Sequence, residues 1–421
     1  FANSVRRTQL LVSQKDETSD YLFEVFFDKN LNIIWPNALS FGQAFYEYLA
    51  PKLAEAQYRA SSSFDNLRVP LRIVATDIVS GRRVVFSKGN LATAIRASCG
   101  IPLAFSPVNF NGTLLMDGGM SANIPVEPVI EEFPDSYIIA VDVTSSLWNK
   151  EDLNNPVRLA DQLVSIGIAK QKTFEKSLAQ VIIVPSLEGC RNTDFSRIDT
   201  LIAKGYAAAR EHIDRITSGI ALPQTARTAD SAGNGERPAV VRQNGAVGAH
   251  AWHMGPIKKI SIEGNVVTAS RTFVSAIPLK PGVIPTEASI AKTITSLYAT
   301  GLFKNVNAAM DSAQTLHIIV EEKEFWRMRF GLRFDEFHLG EGYFEPAYTN
   351  LFGAGVSALL HLQYGLRREK YAFELLSNHL FSSFVTQKLQ FQAYIAREII
   401  RKETEYFDEE FRLAIAVPPF A

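Results

Sequence analysis

Residues 112–126 read GTLLMDGGMSANIPV, and their interpretation decides what the first half of the chain is. The apolar run Leu114-Leu115-Met116 has the character of a buried strand end. It delivers Asp117 directly onto Gly118 and Gly119, and Ser121 and Asn123 then lead into Ile124-Pro125-Val126. A carboxylate at the C-terminal end of a strand stands where open α/β sheets keep their ligand sites. Two following glycines permit positive φ and the close approach of another backbone. Asp-Gly is also a common turn pair. From these three residues alone, an ordinary turn is the stronger reading.

Working outward, residues 1–217 read as α/β. Apolar runs at 71–79 (LRIVATDIV), 137–143 (YIIAVDV) and 181–185 (VIIVP) alternate with helical patterns over Ala92–Ala97, Leu159–Phe174 and Ser196–Ile216. Apolar strands separated by helices predict a mostly parallel, buried sheet. Residues 218–255 are rich in Ala, Gly, Pro and polar residues without periodicity, which predicts a linker. Residues 256–323 form a compact unit in β-α-α-β-β order. A strand ends at Gly264, helices lie around Ser270–Ile277 and Ala288–Ala299, and FKNVNAAMD and LHIIVEEK are two further strands.

Residues 324–421 change character again. In WRMRFGLRF, Trp326, Met328, Phe330, Leu332 and Phe334 fall on one face, and Arg327, Arg329, Gly331 and Arg333 on the other. Residues 356–364 and 388–395 alternate less cleanly, and 371–377 is a weaker case. Strands of about ten residues with one apolar and one polar face are the signature of a transmembrane β-barrel. A soluble antiparallel sheet is the competing reading.

Composition narrows the function classes. The 421 residues are 47% hydrophobic and 21% charged, with a net charge of −1 that gives no electrostatic footing to a nucleic-acid partner. Cys99 and Cys190 stand far apart without metal spacing, and the expectation is two free or buried thiols. No apolar stretch reaches the roughly 18 residues of a transmembrane helix, and no signal peptide is visible. The sequence starts at Phe1 without an initiator Met, so a fragment is expected.

The nucleophile-elbow pattern G-x-S-x-G is absent. Three near misses exist: ALSFG has Ala38 in place of the first glycine, RASCG has Arg96 there, and GMSAN ends in Asn123. No phosphate-binding Gly-rich loop is present, and no histidine precedes His212, so the stretch before it holds no histidine for a Ser-His-Asp triad. His250, His253, His317, His338, His361 and His379 lack metal-ligand spacing. Asp77 is a weaker candidate for a second carboxylate, with a strand-end turn as the favoured role. Nothing in the sequence marks Cys99 as activated. The arginine row 327, 329 and 333 reads as lumen-facing charge rather than a phosphate site.

The pieces ATDIVSG at 75–81, AIRASCGIPLAFSPV at 94–108 and DGG at 117–119 closely resemble the second half of a bacterial patatin-like phospholipase domain. VIIVPSL and DTLIAKGYAAA resemble that family's closing segment. In patatin-like enzymes a serine–aspartate dyad hydrolyses lipid esters, and the aspartate opens a D-G-[GA] motif. The resemblance therefore implies Asp117 as the proton acceptor and Asp117, Gly118 and Gly119 as the motif, and it fits the missing histidine. The family's serine elbow and Gly-rich oxyanion segment have no counterpart in this sequence, so the nucleophile is expected outside the chain. IKKISIEGN, LKPG at 279–282, SLYATGLFKNV at 296–306 and LHIIVEEK resemble a POTRA domain, and PAYTNLFGAG at 346–355 resembles the start of a sixteen-stranded outer-membrane barrel.

Together these resemblances imply a three-layer α/β/α patatin-like domain over 1–217, a linker over 218–255, an α+β POTRA domain over 256–323, and the first strands of an incomplete barrel over 324–421. The kind of protein implied is a type V secretion protein, cut at both ends, whose complete form hydrolyses lipids at the outer membrane of a Gram-negative bacterium. Its patatin domain would be periplasmic, surface-exposed or secreted. The implied partners are a phospholipid or other lipid ester and the outer membrane, with no nucleic acid and with room for a homo-oligomer. No metal or organic cofactor is implied. The rival class is a degenerate patatin remnant on a POTRA–barrel protein that assembles or exports other proteins.

Overall fold

A computed structural model describes residues 23–35, 37–60, 63–187, 190, 195–221, 254–335, 339–377, 388–401 and 404–416, the last two segments by their backbone. The chain opens with short strands β1 (Phe23–Phe27) and β2 (Ile33–Ile34), then helices α1 (Gln43–Lys52) and α2 (Ala54–Ala60). Strands β3 (Ile73–Asp77), β4 (Arg83–Phe86), β5 (Val108–Phe110) and β6 (Thr113–Asp117) build a four-stranded sheet in the order β4-β3-β6-β5. Every neighbouring pair in it is antiparallel.

The expectation of a mostly parallel sheet is therefore corrected. The reason is turn chemistry. β5 and β6 are joined through Asn111 and Gly112, with φ of 52° and 83°. That is the Asn-Gly signature of a two-residue hairpin, and it enforces antiparallel pairing. Between β3 and β4, Asp77 closes a tight turn by accepting Val79 N–H (3.0 Å) and Ser80 O–H (2.5 Å), with Gly81 at φ 71°. Asp77 is half-buried, and the Ser80 hydroxyl holds its pKa below the usual carboxylate value. It is the strand-end turn residue that its sequence favours.

Helix α3 (Leu91–Ser98) starts at Asn90, whose Oδ1 accepts from Thr93 N at 2.9 Å. Leu91, Ala94 and Ala97 seat it on Ala75 and Leu115 of the sheet. After β6 come the short helices α4 (Gly119–Ala122) and α5 (Val126–Glu132). Strands β7 (Ile139–Val141) and β8 (Val181–Ile183) do pair in parallel, with the long helix α6 (Pro156–Ser177) as the crossover that parallel pairing requires. Ile139 and Val141 are exposed, so burial of this pair is also less than the apolar run suggested. The single helix expected over Ser196–Ile216 is two, α7 (Ile198–Glu211) and α8 (Ile213–Ala221), broken at His212. Helix α8 extends into the stretch assigned to a linker, and 222–253 lie outside the described residues.

The third unit follows the expected order. It contains β9 (Lys259–Glu263), α9 (Ser270–Phe273), α10 (Glu287–Ala299), β10 (Phe303–Met310) and β11 (Thr315–Glu322). The sheet order is β10-β11-β9, with β11 parallel to β9. Phe273 and Phe303 meet edge to face at 5.0 Å, inside a core that includes Ile257, Ile290, Leu297 and Ile318. Thr286 and Ser289 form a reciprocal capping box at the start of α10.

The last segment is an antiparallel meander: β12 (Trp326–Asp335), β13 (Leu339–Leu351), β14 (Val356–Gly365), β15 (Arg368–Ser377), β16 (Lys388–Arg401) and β17 (Thr404–Ala416). The sheet is not closed. β1 adds to the free edge of β12, with Phe23 opposite Phe330 and Phe27 opposite Trp326. One face carries a cross-strand row of Phe23, Phe330, Phe344, Leu362 and Tyr371, each directly opposed to the next. On that face Leu332 is 61% exposed and Phe334 79%. The other face gathers charge. Arg329 Nε lies 3.0 Å from Glu24 Oε1, Glu345 Oε2 lies 2.8 Å from His361 Nδ1, and His361 Nε2 lies 3.0 Å from Glu374 Oε2.

Asp142 ties β7 to α6. Its nearly buried carboxylate accepts Lys176 Nζ at 2.9 Å and lies 3.3 Å from Lys172 Nζ. Burial opposes the charge, but the Thr144 hydroxyl and the lysines bring its pKa down to about 2. A pKa depressed on folding stabilises the native state above the unfolded value and loses that contribution as pH falls. Asp142→Asn is therefore expected to destabilise the chain at pH 7 by about 1–2 kcal/mol, allowing for solvent screening of the lysines. Melting curves of the two proteins should converge as pH drops from about 4 to about 2.

Candidate active site

Asp117 is the last residue of β6, and both its main-chain groups are committed. Its N–H donates to Gly100 O at 3.2 Å, and its carbonyl accepts from Thr76 Oγ1 at 2.7 Å. Thr76 is buried on the adjacent β3, and its hydroxyl also meets Ser121 Oγ at 2.8 Å. These bonds fix the strand end, so that the side chain is aimed by the fold and not by its own flexibility. Thr76 and Gly100 are not singled out by sequence reading. The signal that would have found them is position, one in the strand beside the motif and one closing the α3 turn.

The glycines explain themselves by space. Gly118 has right-handed helical backbone, φ −64° and ψ −24°. A Cβ there would stand 2.2 Å from Val74 O and 2.6 Å from its carbonyl carbon. Close approach to β3, not positive φ, is what demands glycine, and the positive-φ half of the sequence argument is corrected. Gly119 opens α4, and its N–H donates to Asp117 Oδ1 at 2.8 Å. A Cβ on it would lie 3.1 Å from that same oxygen and 2.9 Å from Asn123 Oδ1. The far side of the loop is held by Glu175 of α6, whose buried Oε2 accepts from the N–H groups of Val126 and Glu127 at 2.9 Å each.

Among the described residues, Gly119 supplies the one hydrogen bond to the carboxylate, leaving Oδ2 uncommitted. Burial raises the pKa of Asp117 above the ordinary aspartate value, and the Gly119 N–H offsets part of that rise. The carboxylate lines a cavity of about 400 Å³ with Ile73, Ile95, Ser98, Cys99, Gly118 and Asn123, among others. A volume of this size is in the range that takes a small organic group. Cys99 is exposed, yet partial desolvation of its thiol and the neighbouring Asp117 charge both push its pKa up, which suits it poorly as a nucleophile there.

The three near-miss serines do not stand on elbows. Ser40 is buried, and its Oγ accepts from Gly42 N–H. Ser98 ends α3, and Ser121 lies inside α4 with its hydroxyl engaged by Thr76. Of the histidines, His212 ends α7, His317 contacts Asp311 and Glu263, and His361 sits in the charged face of the meander. His250, His253, His338 and His379 lie outside the described residues. No group of three or more potential metal ligands is found among the described residues. The site can thus offer a positioned, partly desolvated carboxylate beside a cavity, which is what a general base needs.

Residues 4–130 match the patatin-like phospholipase family, and residues 256–323 match the surface antigen variable number repeat, the POTRA family. An 84-residue stretch is 40% identical to an uncharacterized NTE family protein of Mycobacterium bovis, covering 20% of this chain and 23% of that protein. A lysophospholipase NTE1 of Meyerozyma guilliermondii is 25% identical over 198 residues, covering 40% of this chain and 14% of that protein. Among solved structures, BamA from Haemophilus ducreyi lacking POTRA domains 1–3 aligns with TM-score 0.31 and 17% identity, over 34% of this chain and 28% of that one. The chain spans less than a quarter of the length of these two curated relatives. It carries a patatin-like phospholipase domain followed by a POTRA domain.

The glycine argument predicts a contrast. Gly118→Ala should destabilise the chain by about 1–3 kcal/mol, the usual cost of forcing a methyl into filled space. In α7, Gly205 has nothing within 4 Å of its added Cβ. Gly205→Ala should be stabilising by up to about 1 kcal/mol through helix propensity. Urea denaturation of both variants checks the pair.

Proposed function

We propose that the protein to which this chain belongs is a lipid acyl hydrolase of the phospholipase A type, with Asp117 as the general base of a Ser-Asp dyad. The observation that carries the reading is the Asp117 carboxylate itself: one oxygen anchored by Gly119, the other uncommitted, at the edge of a cavity. A serine that the chain does not contain would attack the ester carbonyl of a phospholipid. Asp117 would take its proton, the acyl-enzyme would form, and water would release the fatty acid. No metal or organic cofactor is needed for this chemistry. The similarity to a lysophospholipase supports a lipid ester as the substrate class.

Asp117→Asn keeps the Gly119 bond to Oδ1 but removes the proton acceptor. In protein carrying the nucleophile, the loss of a general base is expected to cost about 10²–10⁴ in kcat with an unchanged melting temperature. Activity must rise with pH as Asp117 ionises, and its raised pKa places this acid limb above the ordinary aspartate value of about 3.9. The 421-residue chain alone should not hydrolyse nitrophenyl esters. Turnover that Asp117→Asn abolishes would identify a serine within it as the nucleophile, and retained activity in Asp117→Asn would remove the assignment.

The POTRA domain and the two-faced meander support an outer-membrane setting, with the hydrolase domain periplasmic, surface-exposed or secreted. The alternative is a degenerate hydrolase remnant on an assembly or export protein. The membrane part has its own test. Lysine at a lipid-facing midplane site costs about 2–4 kcal/mol, whereas a lumen site tolerates it. Phe330→Lys should therefore block outer-membrane assembly while Arg329→Lys assembles normally. Equal assembly of both would reject a lipid-facing Phe330.

A further inference from the structure

Helix α3 belongs to two hydrophobic cores. Leu91, Ala94 and Ala97 pack in the core of the sheet that carries Asp117. Ala92 instead joins the POTRA core, together with Tyr46, Ala50 and Ala54 from α1 and α2. The polar contacts along this seam are buried too. Val306 lies on β10, an edge strand of its sheet, and its N–H donates to Gln43 Oε1 at 2.8 Å. Asn307, 3% exposed, donates from Nδ2 to Asn90 Oδ1 at 2.9 Å and to Thr93 Oγ1 at 3.1 Å. Asn90 is the residue that caps α3. One side chain of the POTRA unit thus grips the first turn of this helix.

The other end of α3 reaches the candidate site. At about 1.5 Å per residue the helix is roughly 12 Å long. Its C-terminal residues Ser98 and Cys99 line the cavity beside Asp117, and the next carbonyl, Gly100 O, accepts the Asp117 N–H. A two-turn helix locked in a close-packed core moves as a unit. A displacement at Asn90 is therefore passed to Gly100.

We propose that Asn307 is a positioning residue for Asp117: the POTRA unit sets helix α3, and α3 sets the strand end on which the carboxylate stands. The POTRA unit is then part of the hydrolase scaffold and not a tether behind it. The proposal rests on reading Asp117 as the catalytic base, but its test uses no catalysis, so the two fail separately.

The test uses the 421-residue chain with Cys190→Ser, which leaves Cys99 as its one thiol, exposed and beside Asp117. Asn307→Ala removes both hydrogen bonds without adding bulk. The expected result is about tenfold faster hydrogen exchange over 95–100 and at Asp117, the scale of two lost neutral hydrogen bonds, while β11 keeps its protection. The rate at which Cys99 reacts with a small disulfide reagent should change with it, because its thiol stands at the moving end of α3. Asn90→Asp, which retains both the cap and the acceptor, should show neither effect and stay at the parent rate. If Asn307→Ala does not fold, Thr93→Val removes one of the two acceptors at similar size, and a smaller acceleration in the same places is expected. Parent rates at Cys99 and over 95–100 in the folded variants would overturn the proposal. So would an equal loss of protection in β11, which would indicate general loosening.

Discussion

The contact between Gly118 and the Val74 carbonyl is the constraint on which the candidate site depends. Strand β6 must end against β3 closely enough that no Cβ fits at Gly118. The chain then turns into α4 within one residue, which points the Gly119 N–H back at the Asp117 carboxylate. The same crowding explains the electrostatics. A carboxylate held between two strands and a helix loses water on several sides, and the single N–H that compensates is too little to return its pKa to the solution value. A carboxylate held in this way is more basic than a free aspartate. That shift fits proton abstraction from an alcohol without a histidine.

How much of this was legible in the sequence follows from which forces are local. The strand ending at Asp117 was readable because an apolar run stops at a charge. The order of the POTRA unit was readable because its helices and strands have clean periods and separate turns. The pairing direction of the first sheet was misread because apolar strands were weighed above turn residues, although Asn111-Gly112 carries the hairpin in two letters. Strand β13 was missed because Gly340, Gly342 and Pro346 interrupt its alternation. The role of Gly118 could not be read at all. Its reason is the Val74 carbonyl, some forty residues away in the chain, and no local pattern records that distance. Thr76, Gly100 and Glu175 escape for the same cause. They act on the motif through long-range hydrogen bonds.

The meander shows a polarity inverted from that of a water-soluble sheet, and magnitudes decide what it is built for. Phe330, Leu332 and Phe334 are exposed, whereas Arg327 and Arg329 keep 12% of their side-chain surface and Glu345 keeps 1%. In water this arrangement is doubly unfavourable. Each large apolar side chain left exposed forgoes about 1.5–3 kcal/mol, and each desolvated charge costs several kcal/mol before pairing. The charges offset one another because they are arranged as a network. Glu345 is shared by Arg327, Arg329 and His361, and Glu24 of β1 closes the row at the edge. On the apolar face Phe23, Leu332 and Phe334 stay exposed. The cost of that exposure disappears when an apolar medium replaces water on that face, and that medium also forbids an open edge of unpaired N–H and C=O groups. Strand β1 covers such an edge on β12 through five paired residues, with Phe23 extending the aromatic row and Glu24 the charged one. The alternation that marks the face in the sequence is therefore continued by a segment some three hundred residues earlier, which matches the sheet on both of its faces.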